Sequence, residues 1–116
     1  MFITVNPLSD EPLFAQVASA VRAEAASGAL LPGDKLPPAR EVAAALGMHL
    51  HTVLHAYQDL RDEGLIEMRR GRGAILTPAA EPLGELAGDI AALVARSKAL
   101  GLSAETLTSL VKEAAK

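Results

Sequence analysis

The chain has 116 residues, 50% of them hydrophobic, which allows one domain of ordinary size together with a small appendage. It contains no cysteine, which excludes disulfides and thiolate metal ligands, and its formal net charge of −3 argues against a generally basic nucleic-acid coat. No apolar run approaches the ~20 residues that cross a bilayer, and the first residues lack an export-signal pattern, so we expect a cytoplasmic protein without a membrane partner.

The first third of the chain predicts a short strand, one helix and an ordered loop. The β-prone stretch FITV is a candidate edge strand that ends at Asn6. Asp10 is the expected N-cap of the following helix, and Gly28 is expected to end it. The proline-rich stretch ALLPGDKLPP contains a Pro-Gly turn and is expected to cross the surface. The buried stripe of the helix, at three-and-four spacing, is expected to contain Leu13, Val17, Ala20, Val21 and Ala25.

The middle of the chain has the pattern of a helix-turn-helix. One helix is predicted over residues 38–46, a turn over 47–49 and a second helix from about Leu50 to Glu63. Two short helices that cross steeply need a small residue where they approach and a glycine in the turn, and Ala43 and Gly47 meet these needs. The shared core is expected to contain Val42, Leu46, Met48, Val53 and Ala56.

The second helix of this motif has one buried and one exposed face. At 100° per residue the buried side is expected to carry Val53, Ala56, Tyr57 and Leu60. The opposite side carries His51, His55 and Gln58, with Thr52 and Leu54 on its flanks and His49 at the helix entrance. In this motif such a face enters the major groove of DNA, where imidazole and amide groups bond to base edges and Leu50 and Leu54 would contact thymine methyl groups. The alternative is a solvated face that carries an isolated leucine.

A small β-hairpin is predicted after the second helix. Strand-like runs at residues 65–69 and 74–77 flank Arg70, Gly71, Arg72 and Gly73. Because Arg72 stands between two glycines, the tip can approach phosphate closely while one guanidinium projects into a minor groove. Arg69 and Arg70 are expected to raise the local positive field.

A helical tail is predicted beyond the stretch Pro78–Pro82, which reads as a linker by composition. Gly101 breaks the helical periodicity, and Ser103 is the expected N-cap of a last short helix. We therefore divide the chain into a DNA-binding domain of residues 1–78 and a tail of residues 79–116. The apolar stripe of the tail is expected to form a dimer, with packing on the first helix as the alternative, through Leu83, Leu86, Ile90, Leu93, Val94, Leu107 and Leu110.

The run LPGDKLPPAREVAAALGMHLHTVLHAYQDLRDEGLIEMRRGRGAILTP resembles the winged helix-turn-helix domain of the GntR family of bacterial transcription regulators. The resemblance covers residues 12–78, and the two-helix tail is similar to that of the YtrA-type subgroup. It implies a backbone contact at Arg40, DNA contacts at the start of the recognition helix, and a minor-groove approach by the wing. Pro38 departs from the usual serine, and Leu50 and Leu54 stand where many members have arginine. The implied recognition-helix contacts are His49, Leu50, His51 and Thr52, and the implied wing contacts are Gly71, Arg72 and Gly73.

The resulting hypothesis is a mainly α protein with a hairpin wing, a homodimeric repressor that binds an inverted repeat in double-stranded DNA. An effector held between the tails stays open. No catalytic triad or phosphate loop is present in the sequence, so we expect neither an enzyme nor a cofactor. One alternative is a metal-responsive regulator using His49, His51 and His55, which would need a further ligand such as Asp59. The other is a winged-helix module that binds protein, which the acidic balance and the exposed leucines permit.

Overall fold

This computed structural model describes residues 3–116. Segments with apolar residues at helical spacing form its helices, and glycines follow several of them. The mainly helical fold with a hairpin wing is confirmed. Within residues 3–116, none of the helices combines the length and the hydrophobicity of a membrane-spanning segment. The elements are α1 (Leu13–Ser27), α2 (Ala39–Leu46), α3 (Leu50–Asp62), β1 (Ile66–Arg69), β2 (Gly73–Leu76), α4 (Glu81–Ala99) and α5 (Ala104–Ala114), with a 3-10 turn at Pro78–Ala80 before α4.

The chain divides into two compact units, the first ending at Gly84 and the second running from Glu85 to Lys116. The sequence placed the division after Pro78. Ala80 is buried and Leu83 packs against the core of the first unit, which extends that unit. The predicted linker at residues 78–82 is wrong, because the 3-10 turn runs directly into α4. Proline is tolerated in the first turn of a helix, where its missing N–H group has no intrahelical partner to lose.

The core of the first unit is built around α3, which packs against α1, α2 and β1. Val53 and Leu60 of α3 are fully buried, and so is Val17 of α1. The hydroxyl of Tyr57 donates a hydrogen bond of 2.6 Å to the carbonyl oxygen of Pro37, which ties α3 to the loop before α2. An ion pair between Arg22 of α1 and Glu63 holds the far end of α3. Three neighbouring elements and one ion pair therefore fix the orientation of α3.

The segment before α1 differs from its prediction. Pro12, not Asp10, is the N-cap of α1, and it provides no side-chain hydrogen bond. Residues 3–5 form no strand, and Phe2 of the predicted strand lies outside the described residues. Instead, the side-chain amide of Gln16 holds the backbone of Asn6, accepting a bond of 2.6 Å from its N–H and donating one of 3.0 Å to its carbonyl. The side chain of Gln16 thus forms the hydrogen bonds that a neighbouring strand would otherwise have formed with the backbone of Asn6.

The proline-rich loop between α1 and α2 supports the wing. The hairpin is antiparallel, with Ile66 opposite Leu76 and Arg69 opposite Gly73. The N–H of Leu36 donates to the carbonyl oxygen of Ala74 at 2.9 Å, and the N–H of Leu76 donates to that of Asp34 at 2.9 Å. The predicted surface loop is therefore also a third backbone segment paired along β2.

The second unit contains the rest of α4 and the whole of α5. Gly101 takes a φ of 79°, which permits the left-handed turn between the two helices. The hydroxyl of Ser103 accepts a hydrogen bond of 3.2 Å from the N–H of Thr106, as expected of an N-cap. No residue of α5 is buried, and the apolar side chains of this unit are mostly exposed.

Candidate nucleic-acid interface

The two faces of α3 differ in burial as the helical period predicts. The buried residues of α3 are Val53, Ala56, Tyr57 and Leu60, each at most 2% exposed. On the remaining surface His49, His51, His55 and Gln58 are exposed, and Leu50, Thr52 and Leu54 are half-buried. Because α1, α2 and β1 cover the other side, this surface is the part of α3 that a partner can reach.

The other residues of the predicted interface lie on two further elements. Arg40 is exposed in the first turn of α2, and the hairpin tip exposes Arg70 and Arg72. The tip turns tightly, since the N–H of Arg72 donates to the carbonyl oxygen of Arg69 at 3.0 Å. Gly71 and Gly73 take φ values of 80° and 78°, which side chains other than hydrogen rarely allow. The two glycines therefore permit the sharp turn that exposes Arg72.

The side chain of His55 contacts two other side chains, whereas the helical period predicted only that it is exposed. Its ring stacks on that of Phe14 in α1, with centroids 3.8 Å apart and planes at 14°. Its Nε2 atom lies 3.7 Å from Oδ1 of Asp59, one helical turn further along α3. His55 therefore leans toward α1, whereas His51 has neither of these contacts in the described structure. The contribution of Phe14 was missed, because its contact with α3 spans about forty residues of sequence.

Glu67 neutralises one of the three clustered arginines. The guanidinium of Arg69 donates to the carboxylate of Glu67 through Nε at 3.1 Å and Nη2 at 3.3 Å. The hydrogen bond and the negative charge of Glu67 raise the pKa of Arg69 above its usual value. Arg69 was expected to add to the positive field of the wing, but its charge is paired with that of Glu67. The signal was the spacing of two residues on a strand, which places both side chains on the same face.

The histidines do not form a metal centre with their neighbours. Among residues 3–116, no group of three or more histidine and carboxylate side chains is placed to hold a metal ion. His51 and His55 have the spacing of two ligands, but the structure turns His55 toward Phe14 and Asp59. The metal-responsive alternative therefore receives no support from the geometry.

Comparison with known proteins agrees with this architecture. The family described as bacterial regulatory proteins, gntR family, matches residues 13–76, from the start of α1 to the end of β2. The chain is 37% identical over 75 residues to the HTH-type transcriptional repressor YtrA of Bacillus subtilis. That match covers 65% of this chain and 58% of the repressor, less than two thirds of its length.

Two solved structures have a similar fold. YtrA from Sulfolobus acidocaldarius, a GntR-family transcription factor, is 32% identical with a TM-score of 0.62, and the match covers 84% of this chain and 97% of that one. AraR(DBD) in complex with operator ORX1 is 30% identical with a TM-score of 0.57 and covers 65% of this chain and 93% of its own. The first likeness extends beyond the winged helix into the tail.

Proposed function

Because the chain belongs to the GntR family of bacterial regulatory proteins, we propose that it is a transcription regulator that binds duplex operator DNA through α3 and the wing. The observation that carries this proposal is the exposed polar face of α3, opposite four buried residues, together with an arginine between two glycines on the hairpin. The similar fold of AraR(DBD), which is described in complex with operator DNA, supports the same use of this surface.

We assign the contacts by the chemistry of each exposed group. His51 and Gln58 hydrogen-bond to base edges in the major groove, and the half-buried Leu54 contacts thymine methyl groups. Arg40 binds the phosphate backbone. Arg72 enters the minor groove, where its guanidinium meets the negative potential of the two phosphate strands. The remaining members of the proposed surface are His49, Leu50, Thr52, His55, Arg70, Gly71 and Gly73.

We also propose that the second unit joins two copies into a homodimer, which places two α3 helices on an inverted repeat. Large apolar side chains lie unburied on its helices, with Leu86 and Ile90 each 55% exposed and Leu110 55% exposed. A second copy offers the same stripe and removes it from water. We leave Leu83 out of the proposed dimer surface, because it is partly buried against the core of the first unit. Val94 and Leu107 are already half-buried.

Repression then follows from occupancy of the operator. The named relative YtrA of Bacillus subtilis is a transcriptional repressor, which supports this direction of regulation. A dimer on an operator obstructs other proteins from the same DNA without any chemical step. This mechanism needs only the recognition surface and the dimer contact.

The DNA-binding proposal is tested by the salt dependence of affinity in the Arg72→Ala variant. Each cationic side chain that displaces counterions from DNA contributes about 0.9 to the slope of log affinity against log salt concentration, so Arg72→Ala should make this slope shallower by about that amount. Lys112→Ala on α5 removes the same charge from a residue that is not part of the proposed surface and should leave the slope unchanged. Fluorescence anisotropy with a labelled duplex measures both. A duplex affinity that is absent, or equally reduced in both variants, contradicts the proposal.

The homodimer is tested by placing a charge on the apolar stripe. Ile90→Glu should yield a monomer in analytical ultracentrifugation, because a carboxylate buried in an apolar interface has no partner. Ala92→Glu adds the same charge about 200° around α4 and should remain dimeric, as the unchanged chain does. A monomeric unchanged chain, or a dimer that persists in Ile90→Glu, refutes this assignment.

A further inference from the structure

The histidines of this protein lie together on the proposed DNA surface. The chain has three histidines, and all of them are exposed between His49 and His55. No lysine or arginine occurs between Arg40 and Arg61, so the outward face of α3 up to Gln58 carries no permanent positive charge. Any cationic contact from this face to phosphate must therefore come from a protonated imidazole.

The protonated imidazole is the better ligand for DNA. Both of its nitrogens then donate hydrogen bonds, and its positive charge attracts phosphate, whereas the neutral ring donates only one bond. Histidine is also the side chain that ordinarily changes charge between about pH 6 and pH 8. Carboxylates, lysines and arginines ordinarily keep their charge over that range, and the amino terminus is the remaining group that changes.

We propose that DNA binding by this protein is coupled to uptake of protons at His49 and His51, so that affinity for duplex DNA rises as the pH falls from about 8 to about 6. The inference rests on the proposed function, since it concerns how the same surface binds DNA. His55 is excluded from the coupling. Its ring is already stacked on Phe14, and its charged form already has Asp59 as a partner at 3.7 Å in the free protein.

The surroundings of His49 and His51 favour this division of roles. Among residues 3–116, Asp59 is the only carboxylate within 4.0 Å of an imidazole nitrogen, and that imidazole belongs to His55. On the elements that pack against α3, two of the charged side chains already have partners: Arg22 pairs with Glu63, and Arg69 pairs with Glu67. The other charged groups on those elements are Glu24 of α1 and Arg40 and Glu41 of α2.

The size of the effect follows from proton linkage. An imidazole whose proton affinity rises tenfold when DNA is bound strengthens DNA binding by about sixfold between pH 8 and pH 6. Two such imidazoles give roughly 36-fold if they act independently. A neutral side chain that still forms hydrogen bonds, such as glutamine, contributes none of this change.

The test measures affinity for one fixed fluorescein-labelled duplex across that pH range at constant salt. Between pH 8 and pH 6 we expect the affinity of the unchanged chain for the duplex to rise by about sixfold to 36-fold. The affinity of the double variant His49→Gln/His51→Gln should change by no more than about twofold. His55→Gln is the matched control, and whatever its affinity at pH 8, that affinity should show the full gain between pH 8 and pH 6. A flat profile in the unchanged chain, a gain that survives in the double variant, or a gain lost in His55→Gln overturns the proposal. Absence of duplex binding at every pH overturns the proposed function as well, so the two failures are distinguishable.

Imidazole titrations by NMR keep the test independent of the folding of the double variant. The three ring resonances of the unchanged chain are followed with and without duplex and assigned with single glutamine variants. The midpoints of His49 and His51 should rise when DNA is bound, and that of His55 should stay in place. Midpoints that do not move, or movement confined to His55, contradict the proton coupling.

Discussion

We expect the buried face of α3 to determine the stability of the protein and the exposed face to determine its affinity for DNA. Two leucines of this helix, one on each face, allow us to test this. Leu60 is fully buried in the core, whereas Leu54 is half-buried beside the exposed histidines. The same substitution to alanine removes the same three carbon atoms at each position. Since alanine is the best helix former, neither change weakens the helix itself.

The expected losses differ in size because only one site leaves a cavity. For Leu60→Ala the transfer of three buried carbons costs about 2.4 kcal/mol, and the cavity raises the total to about 3–5 kcal/mol. For Leu54→Ala, which stays in contact with water, we expect about 1 kcal/mol. Loss of a thymine methyl contact should instead weaken DNA binding by Leu54→Ala about fivefold, equivalent to about 1 kcal/mol.

Urea unfolding at one protein concentration measures the stabilities, since dimer formation would make them depend on concentration. Fluorescence anisotropy, corrected for the folded fraction, measures DNA affinity. Leu60→Ala should bind DNA normally when folded, and Leu54→Ala should bind weakly while stable. Equal destabilisation by the two variants, or weaker DNA binding by folded Leu60→Ala alone, would refute the orientation assigned to α3.

Further predictions concern the wing and the buried tyrosine. Glu67→Gln should release Arg69 for a phosphate contact, so that DNA affinity rises and the salt slope steepens by up to about 0.9, whereas Glu105→Gln on α5, with the same charge change, should do neither. Tyr57→Phe loses the hydrogen bond to Pro37 and should cost about 1 kcal/mol in urea unfolding. Burial raises the pKa of Tyr57 to about 12. The unfolded phenol ionises first, near pH 10, so stability should fall between about pH 10 and pH 12, and this loss should be smaller in Tyr57→Phe.

Much of the first unit was predictable because its signals are local. The spacing of apolar residues by 100° identified the four buried residues of α3 and, by difference, the exposed histidine face. Gly28 and Gly47 follow α1 and α2 with φ values of 85° and 65°, a backbone region that glycine reaches readily. Ser103 caps α5 as expected. Each of these features depends on neighbours within a few residues along the chain.

The tertiary structure decided the features that depend on distant residues. Stacking of Phe14 on His55 turns one imidazole toward α1, a contact that no local spacing reveals. Pairing of Leu36 with Ala74 converts a proline-rich loop into a support for the wing. Burial of Ala80 draws the predicted linker into the first unit. The sequence by itself determined which face of α3 is exposed, because helical geometry is intrinsic to the backbone, whereas packing between separate segments decided how each exposed group is held.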